Sequence, residues 1–140
     1  MQHHAAARTG PPGSPRPSAS LIAASLLRSR PAARSDHMSL SITPDRDPGG
    51  GRLLTTVPKR LLSRAVDRNQ FKRVVRECWR AAPGALRERS ALIRLARCPK
   101  AYSEWSASER RRRWREEVSG LILLTGAGLS VPRPPRKRHD

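Results

Sequence analysis

The sequence predicts an α+β fold: a two-layer α-β sandwich in which two or three helices pack on one small central sheet. Three observations carry this expectation. The patterned segments run helix, strand, strand, helix, strand, helix. Residues 64–80, RAVDRNQFKRVVRECWR, sort into an apolar and a cationic face when wound at about 100° per residue. The strands flanking that helix form a strand–helix–strand unit, which normally means parallel neighbours joined by a right-handed crossover.

Taken in order, residues 1–18 are rich in Pro, Gly and Ser and read as a disordered extension. Ser20 is placed to cap a first helix, 21–28, with Leu21, Ile22, Leu26 and Leu27 as its apolar positions and Pro31 beyond its end. Residues 37–43 alternate Met38, Leu40 and Ile42 against Ser39 and Ser41, the pattern of a half-buried strand. PDRDPGGG at 44–51 reads as a turn or hairpin loop. Residues 52–58 form a second strand, whose mixture of apolar and β-branched side chains predicts a central place in the sheet. Ser63 is placed to cap the basic helix, which ends near Pro83-Gly84. SALIRLA at 90–96 is a third strand. Ser106 and Glu109 form a capping box for a last helix, with Trp114, Val118, Leu121, Ile122 and Thr125 as its core face and Gly126 and Gly128 as its stop. The domain therefore spans 19–126, and 127–140 is a basic, Pro-rich disordered tail.

Lys+Arg is 29 against Asp+Glu 11, a net charge of +18 and a pI near 11.8. Only Lys59, Lys72, Lys100 and Lys137 are lysines. Arg binds phosphate bidentately and stacks on bases, so the balance points to nucleic acid. Cys78 and Cys98 stand apart from each other and from His, so they read as buried thiols in a reducing compartment, and the location expected is cytoplasmic. The longest late apolar run, Leu121 to Leu124, is far short of the ~20 residues a membrane span needs. The N-terminal stretch shares the Arg- and Ser-rich, acid-free composition of a mitochondrial transit peptide, but an extension followed by a first helix fits it better.

In the basic helix, Phe71, Val74, Val75, Cys78 and Ala82 share one face with Trp79 at its edge, while Asn69, Lys72, Arg73, Arg76 and Arg80 share another with Arg68 at its boundary. Charge packed this densely is relieved by a polyanion. Intrinsic hydrolytic chemistry has no support in the sequence. The acids are scattered, Glu116 and Glu117 point to different helix faces, and neither Ser nor Cys has a His at a recognisable spacing.

The segment LLTTVPKRLLSRAVDRNQFKRVVRECWRA resembles the bacterial ribonuclease P protein component. The matching positions are Val57, Pro58, Lys59 and Arg60 at the strand end. On the helix they are Ala65, Val66, Arg68, Asn69, Lys72, Arg73, Arg76, Glu77, Trp79 and Arg80, all at ungapped spacing. The likeness covers about Leu21 to Leu124. It implies a ribosomal-protein-like α-β sandwich with a left-handed strand–helix–strand crossover, against the usual rule. It implies the protein subunit of a ribonucleoprotein endoribonuclease whose chemistry lies in its RNA. The partners would be the catalytic ribonuclease P RNA and precursor tRNA, with no membrane and no required protein partner. Mg²⁺ would be held mainly by the RNA. RNA contacts would fall on Lys59, Arg60, Arg64, Arg68, Asn69, Lys72, Arg73, Arg76 and Arg80. Glu77 would brace an arginine. Family members usually line a leader-binding cleft with aromatics from the first helix and strand; here those places fall to Leu21 or Ile22 and to Met38. Two other readings share the charge: a non-catalytic RNA-binding protein of ribosomal type, and a DNA-binding module, the latter disfavoured because a strand rather than a helix–turn precedes the basic helix.

Overall fold

The computed structural model describes residues 19–44, 46–47 and 50–130; the extension expected at 1–18, the tail beyond 130 and Asp45 lie outside them. The elements are α1 (Ala19–Arg28), β1 (Ala33–Arg34), β2 (Met38–Ile42), β3 (Leu53–Thr56), α2 (Ala65–Arg80), the single turn α3 (Gly84–Arg87), β4 (Ala91–Leu95), a 3₁₀ turn (Tyr102–Glu104) and α4 (Ala107–Ser130). The α+β class is as expected: helices on a mixed four-stranded sheet of order β1-β2-β4-β3.

β4 is the centre of this sheet. It pairs antiparallel with β2 (Met38↔Leu95, Ile42↔Ala91) and parallel with β3 (Leu53↔Ala91, Thr56↔Arg94). Its ALI run is buried on both faces, as a strand covered from two sides requires. This corrects two expectations. β3 is an edge strand, half-buried throughout, and its mixed side chains fit that partial cover. The 44–51 loop is no hairpin, because β4 lies between β2 and β3. The loop is instead tied to the residues before β4: Thr43 N–H donates to Ser90 O, Asp47 N–H to Glu88 O, and Ser90 Oγ to Asp47 Oδ2 at 2.8 Å. Gly51 passes so close to the carbonyls of Arg87 and Arg89 that a Cβ there would collide with both.

The main core lies between the sheet and α2 with α4. Met38, Leu40, Ile93 and Leu95 meet Phe71, Val74 and Val75 of α2 and Trp114, Val118 and Leu121 of α4. Phe71 and Trp114 pack edge to face with centroids 4.9 Å apart, a geometry favoured by the ring quadrupoles. The apolar face expected for α2 is buried, except that Cys78 is half-buried; Cys98 is too, so neither thiol has the full burial expected. All five expected core positions of α4 are buried.

α1 covers the other sheet face through Ile22 and Leu26, packed on Leu92 and Leu54. One helical turn separates the two side chains, so the helix touches along a single narrow stripe. Leu21 and Leu27 of the expected apolar set are exposed.

The ends of α2 and α4 also depart from expectation. Arg64, not Ser63, occupies the N-cap of α2, and no side chain caps it. α2 stops at Arg80, short of Pro83. α4 runs through Gly126 and Gly128 to Ser130. Burial of Leu121, Ile122 and Thr125 just before the glycines outweighs the ~1 kcal/mol that each glycine costs a helix. The capping box at its start is present, with Glu109 N–H donating to Ser106 Oγ at 3.1 Å.

Candidate nucleic-acid interface

The turn after β3 folds back on Pro58, whose carbonyl accepts from the amides of Leu61 and Leu62. It leaves Lys59 and Arg60 exposed just ahead of α2. Arg64, Asn69, Arg73, Arg76 and Arg80 are exposed and Lys72 is half-buried. The sixteen residues of α2 rise about 24 Å, so these groups form a stripe along a rod rather than a pocket. Among the described residues, the side chains of Lys59, Arg60, Arg64, Asn69, Lys72, Arg76 and Arg80 have no hydrogen bond or ion pair.

Arg68 differs from the rest of the stripe. It is half-buried, and its Nη1 donates to the carbonyls of Leu62 (2.9 Å) and Ser63 (2.8 Å), so it stitches the preceding turn to the helix. Glu77 is the acid at the stripe. Its Oε2 lies 3.6 Å from Arg73 Nε and its Oε1 accepts from Arg115 Nη2 at 2.9 Å. It braces arginine as expected, and the second arginine comes from α4. Asp67 points away, to Arg110 of α4 at 3.4 Å in a mostly buried pair. Arg110 also lies over the Tyr102 ring, 4.1 Å from its centroid, and donates to Tyr102 O. Burial, with the Asp67 carboxylate beside it, pushes the Tyr102 phenol up to about 12.

A second cationic surface lies beside α1. The register Ser39↔Arg94 and Ser41↔Leu92 turns these side chains to the face opposite the core. With Arg34 and Arg97 they line a cleft of about 380 Å³ next to Leu26. None of the described lining residues is aromatic. Ile22 is buried on the sheet and Leu21 is exposed. Met38 borders the cleft but, 1 % exposed, is spent in the core on the other face. The period-two pattern of the strands carried the signal for Arg94; Arg34 sits in a two-residue strand too short to show one.

Ser35, His37 and Glu117 come together, but not in the order of a nucleophilic triad. Glu117 accepts from Ser35 Oγ and from the His37 amide at 2.8 Å, and His37 Nδ1 lies 2.9 Å from its other oxygen. A nucleophilic triad needs serine on the imidazole. Here serine and imidazole both address the carboxylate, so the cluster is a clasp between the β1–β2 turn and α4. Burial pushes the Cys98 thiol up, which disfavours the reactive thiolate. No group of three or more His, Cys, Asp or Glu side chains is arranged to hold a metal ion among the described residues. No described helix is long and apolar enough to cross a membrane.

The fold and its two cationic surfaces define a small, strongly basic α+β protein. The chain belongs to the ribonuclease P protein family, whose profile (Ribonuclease P) matches residues 24–117. The ribonuclease P protein component of Ralstonia pickettii is 35% identical over 109 residues, covering 77% of this chain and 76% of that protein. That of Bordetella parapertussis is 38% identical over 76 residues, 51% of this chain, and the match spans 62% of the relative's length. The solved structure of a Staphylococcus aureus RNase P protein mutant, described as defective in mRNA degradation, shares the fold. It superposes with a TM-score of 0.52 at 15% identity, covering 77% of this chain and 87% of that one.

Proposed function

We propose that the chain is the protein subunit of ribonuclease P, which binds the catalytic RNA and the 5′ leader of precursor tRNA and assists endonucleolytic removal of the leader. The observation that carries the reading is the stripe of unpaired cations on α2, set on the motif that the family shares. Guanidiniums fixed on a rigid helix cannot relieve their mutual repulsion by moving apart, and bound phosphate relieves it. In this reading the cleavage chemistry is supplied by Mg²⁺ held on the RNA. The protein neutralises backbone charge where RNA strands converge.

The cleft beside α1 is the place for the single-stranded leader. Thr56 pairs with Arg94, so Arg94 of the cleft lies at the end of the sheet from which the chain leaves β3 toward Lys59 and Arg60. With no aromatic platform among its described lining, the cleft holds a strand through Arg34, Arg94 and Arg97 and the serine hydroxyls. Base stacking is worth ~1–3 kcal/mol per base, so leader binding here is weaker, more salt-dependent and less sensitive to base identity than in a cleft that stacks.

The test is cleavage of precursor tRNA by a bacterial ribonuclease P RNA at low Mg²⁺, with and without the chain. Stimulation that disappears in an Arg73→Gln/Arg76→Gln variant is expected. Tight RNA binding without stimulation would replace this reading with that of a ribosomal-type RNA-binding protein.

A further inference from the structure

α2 and α4 do not close on each other completely. Between them runs a groove of about 850 Å³. One wall carries Asn69, Arg73 and Arg76 of α2, and the other carries Arg111 and Arg115 of α4. Spacings of three and four residues keep each set on one helix face, about one turn apart. Glu77 stands between the walls, on both Arg73 and Arg115.

The run Arg110–Arg113 is four like charges in sequence but not in space. Arg110 is turned inward to Asp67 and Tyr102. Arg112 is held by Glu109 and Glu116, and Arg113 by Glu109 and the Trp105 ring, 4.3 Å from its centroid. Arg111 is exposed, and among the described residues its side chain has no hydrogen bond or ion pair. It is also the member of the run that lines the groove.

We propose that this groove is a binding site for the phosphate backbone of folded, double-stranded RNA, with Arg111 and Arg115 as its second wall. The proposal rests on the RNA-subunit reading and adds a surface to it. Arg111 and Arg115 stand on a second helix facing the first, so the two cationic walls are held in place before RNA arrives. RNA helices are recognised through shape and backbone, which facing rows of guanidiniums supply. The chain thus divides its labour: single strand on the α1 side of the sheet, duplex on the α2/α4 side.

The test is the salt dependence of binding to a folded ribonuclease P RNA transcript and to a single-stranded oligonucleotide. Each lost phosphate contact flattens the log–log salt slope by about one. Arg111→Gln/Arg115→Gln is therefore expected to flatten the slope by about two on the transcript and leave the oligonucleotide unaffected. Arg112→Gln removes one of the run's charges from the same turn of α4 outside the groove and is expected to leave both slopes unchanged. An unchanged transcript slope in the double variant overturns the proposal. So does an equal effect of Arg112→Gln, which reduces the result to overall charge, and so does equal loss on both RNAs. Arg73→Gln/Arg76→Gln separates the levels: if it flattens the slope while Arg111→Gln/Arg115→Gln does not, only the second wall is wrong. If neither does, the RNA-subunit reading fails with it.

Discussion

Replacing Asp67 by asparagine isolates the contact that fastens the start of the basic helix to α4. The Asp67 and Arg110 side chains are 13% and 16% exposed with N···O 3.4 Å. Breaking a fully buried pair costs ~3–5 kcal/mol and an exposed one at most ~1, so this pair falls between, at about 1–3 kcal/mol. For a domain of this size that is a drop in Tm of roughly 4–8 °C per kcal/mol. The same change reads out at Tyr102, the single tyrosine of the chain, whose ionisation can be followed alone by tyrosinate absorbance. Its folded pKa of about 12 lies above the ordinary 10. Below pH 10 the phenol is neutral in both folded and unfolded chain, so it does not affect stability. Between 10 and 12 the unfolded chain ionises first, and stability falls by up to roughly 3 kcal/mol. Burial is the larger cause and Asp67 a smaller one. Asp67→Asn should therefore move the midpoint down yet leave it above 10. A native midpoint near 10, or one unmoved by the substitution, would refute the reasoning.

Val75 is wholly buried in the core, so Val75→Asp buries an unpaired carboxylate and should abolish the cooperative melting transition; an ordinary melt would show that the apolar face of α2 is misplaced. Glu117→Gln weakens three contacts to the β1–β2 turn. Charge-assisted bonds contribute ~1.5–3 kcal/mol, so amide exchange at His37 should speed up about tenfold or more, and unchanged protection would refute the clasp. Ser106→Ala removes the N-cap of α4 and should cost about 1 kcal/mol in thermal or urea unfolding, while a neutral effect would mean that water replaces the hydroxyl.

The sequence was most legible where periodicity was long. α2 and α4 showed their buried faces because many turns repeat the same choice, and β4 because an unbroken apolar run has few other homes. It was least legible where pairing between distant segments decides. Nothing local in LLTT distinguishes an edge strand from a central one; the distinction depends on β4 arriving between β2 and β3. β1 and α3 are too short to carry a period. Gly126 and Gly128 looked like a stop because propensity is local, whereas the packing of Leu121, Ile122 and Thr125 is not. At the interface, composition and motif located the α2 stripe, but not the turning back of Arg68 onto the Leu62 and Ser63 carbonyls. Nor could sequence divide Arg110–Arg113, since only the position of α4 against α2 decides which guanidinium is spent internally.

The central place of β4 has a consequence for synthesis. Until residue 95 has been made, β2 has only the two-residue β1 to pair with, and β3 has no sheet neighbour at all. α2 by then is complete in sequence but lacks both the strand beneath it and the α4 that packs on Phe71. A strongly cationic, half-finished chain is thus present on the ribosome, itself largely RNA, for the seconds that elongation at ~5–20 residues per second requires. Late closure of the sheet makes the domain wait for β4 and α4, and the arginines of α2 become rigidly arranged only then.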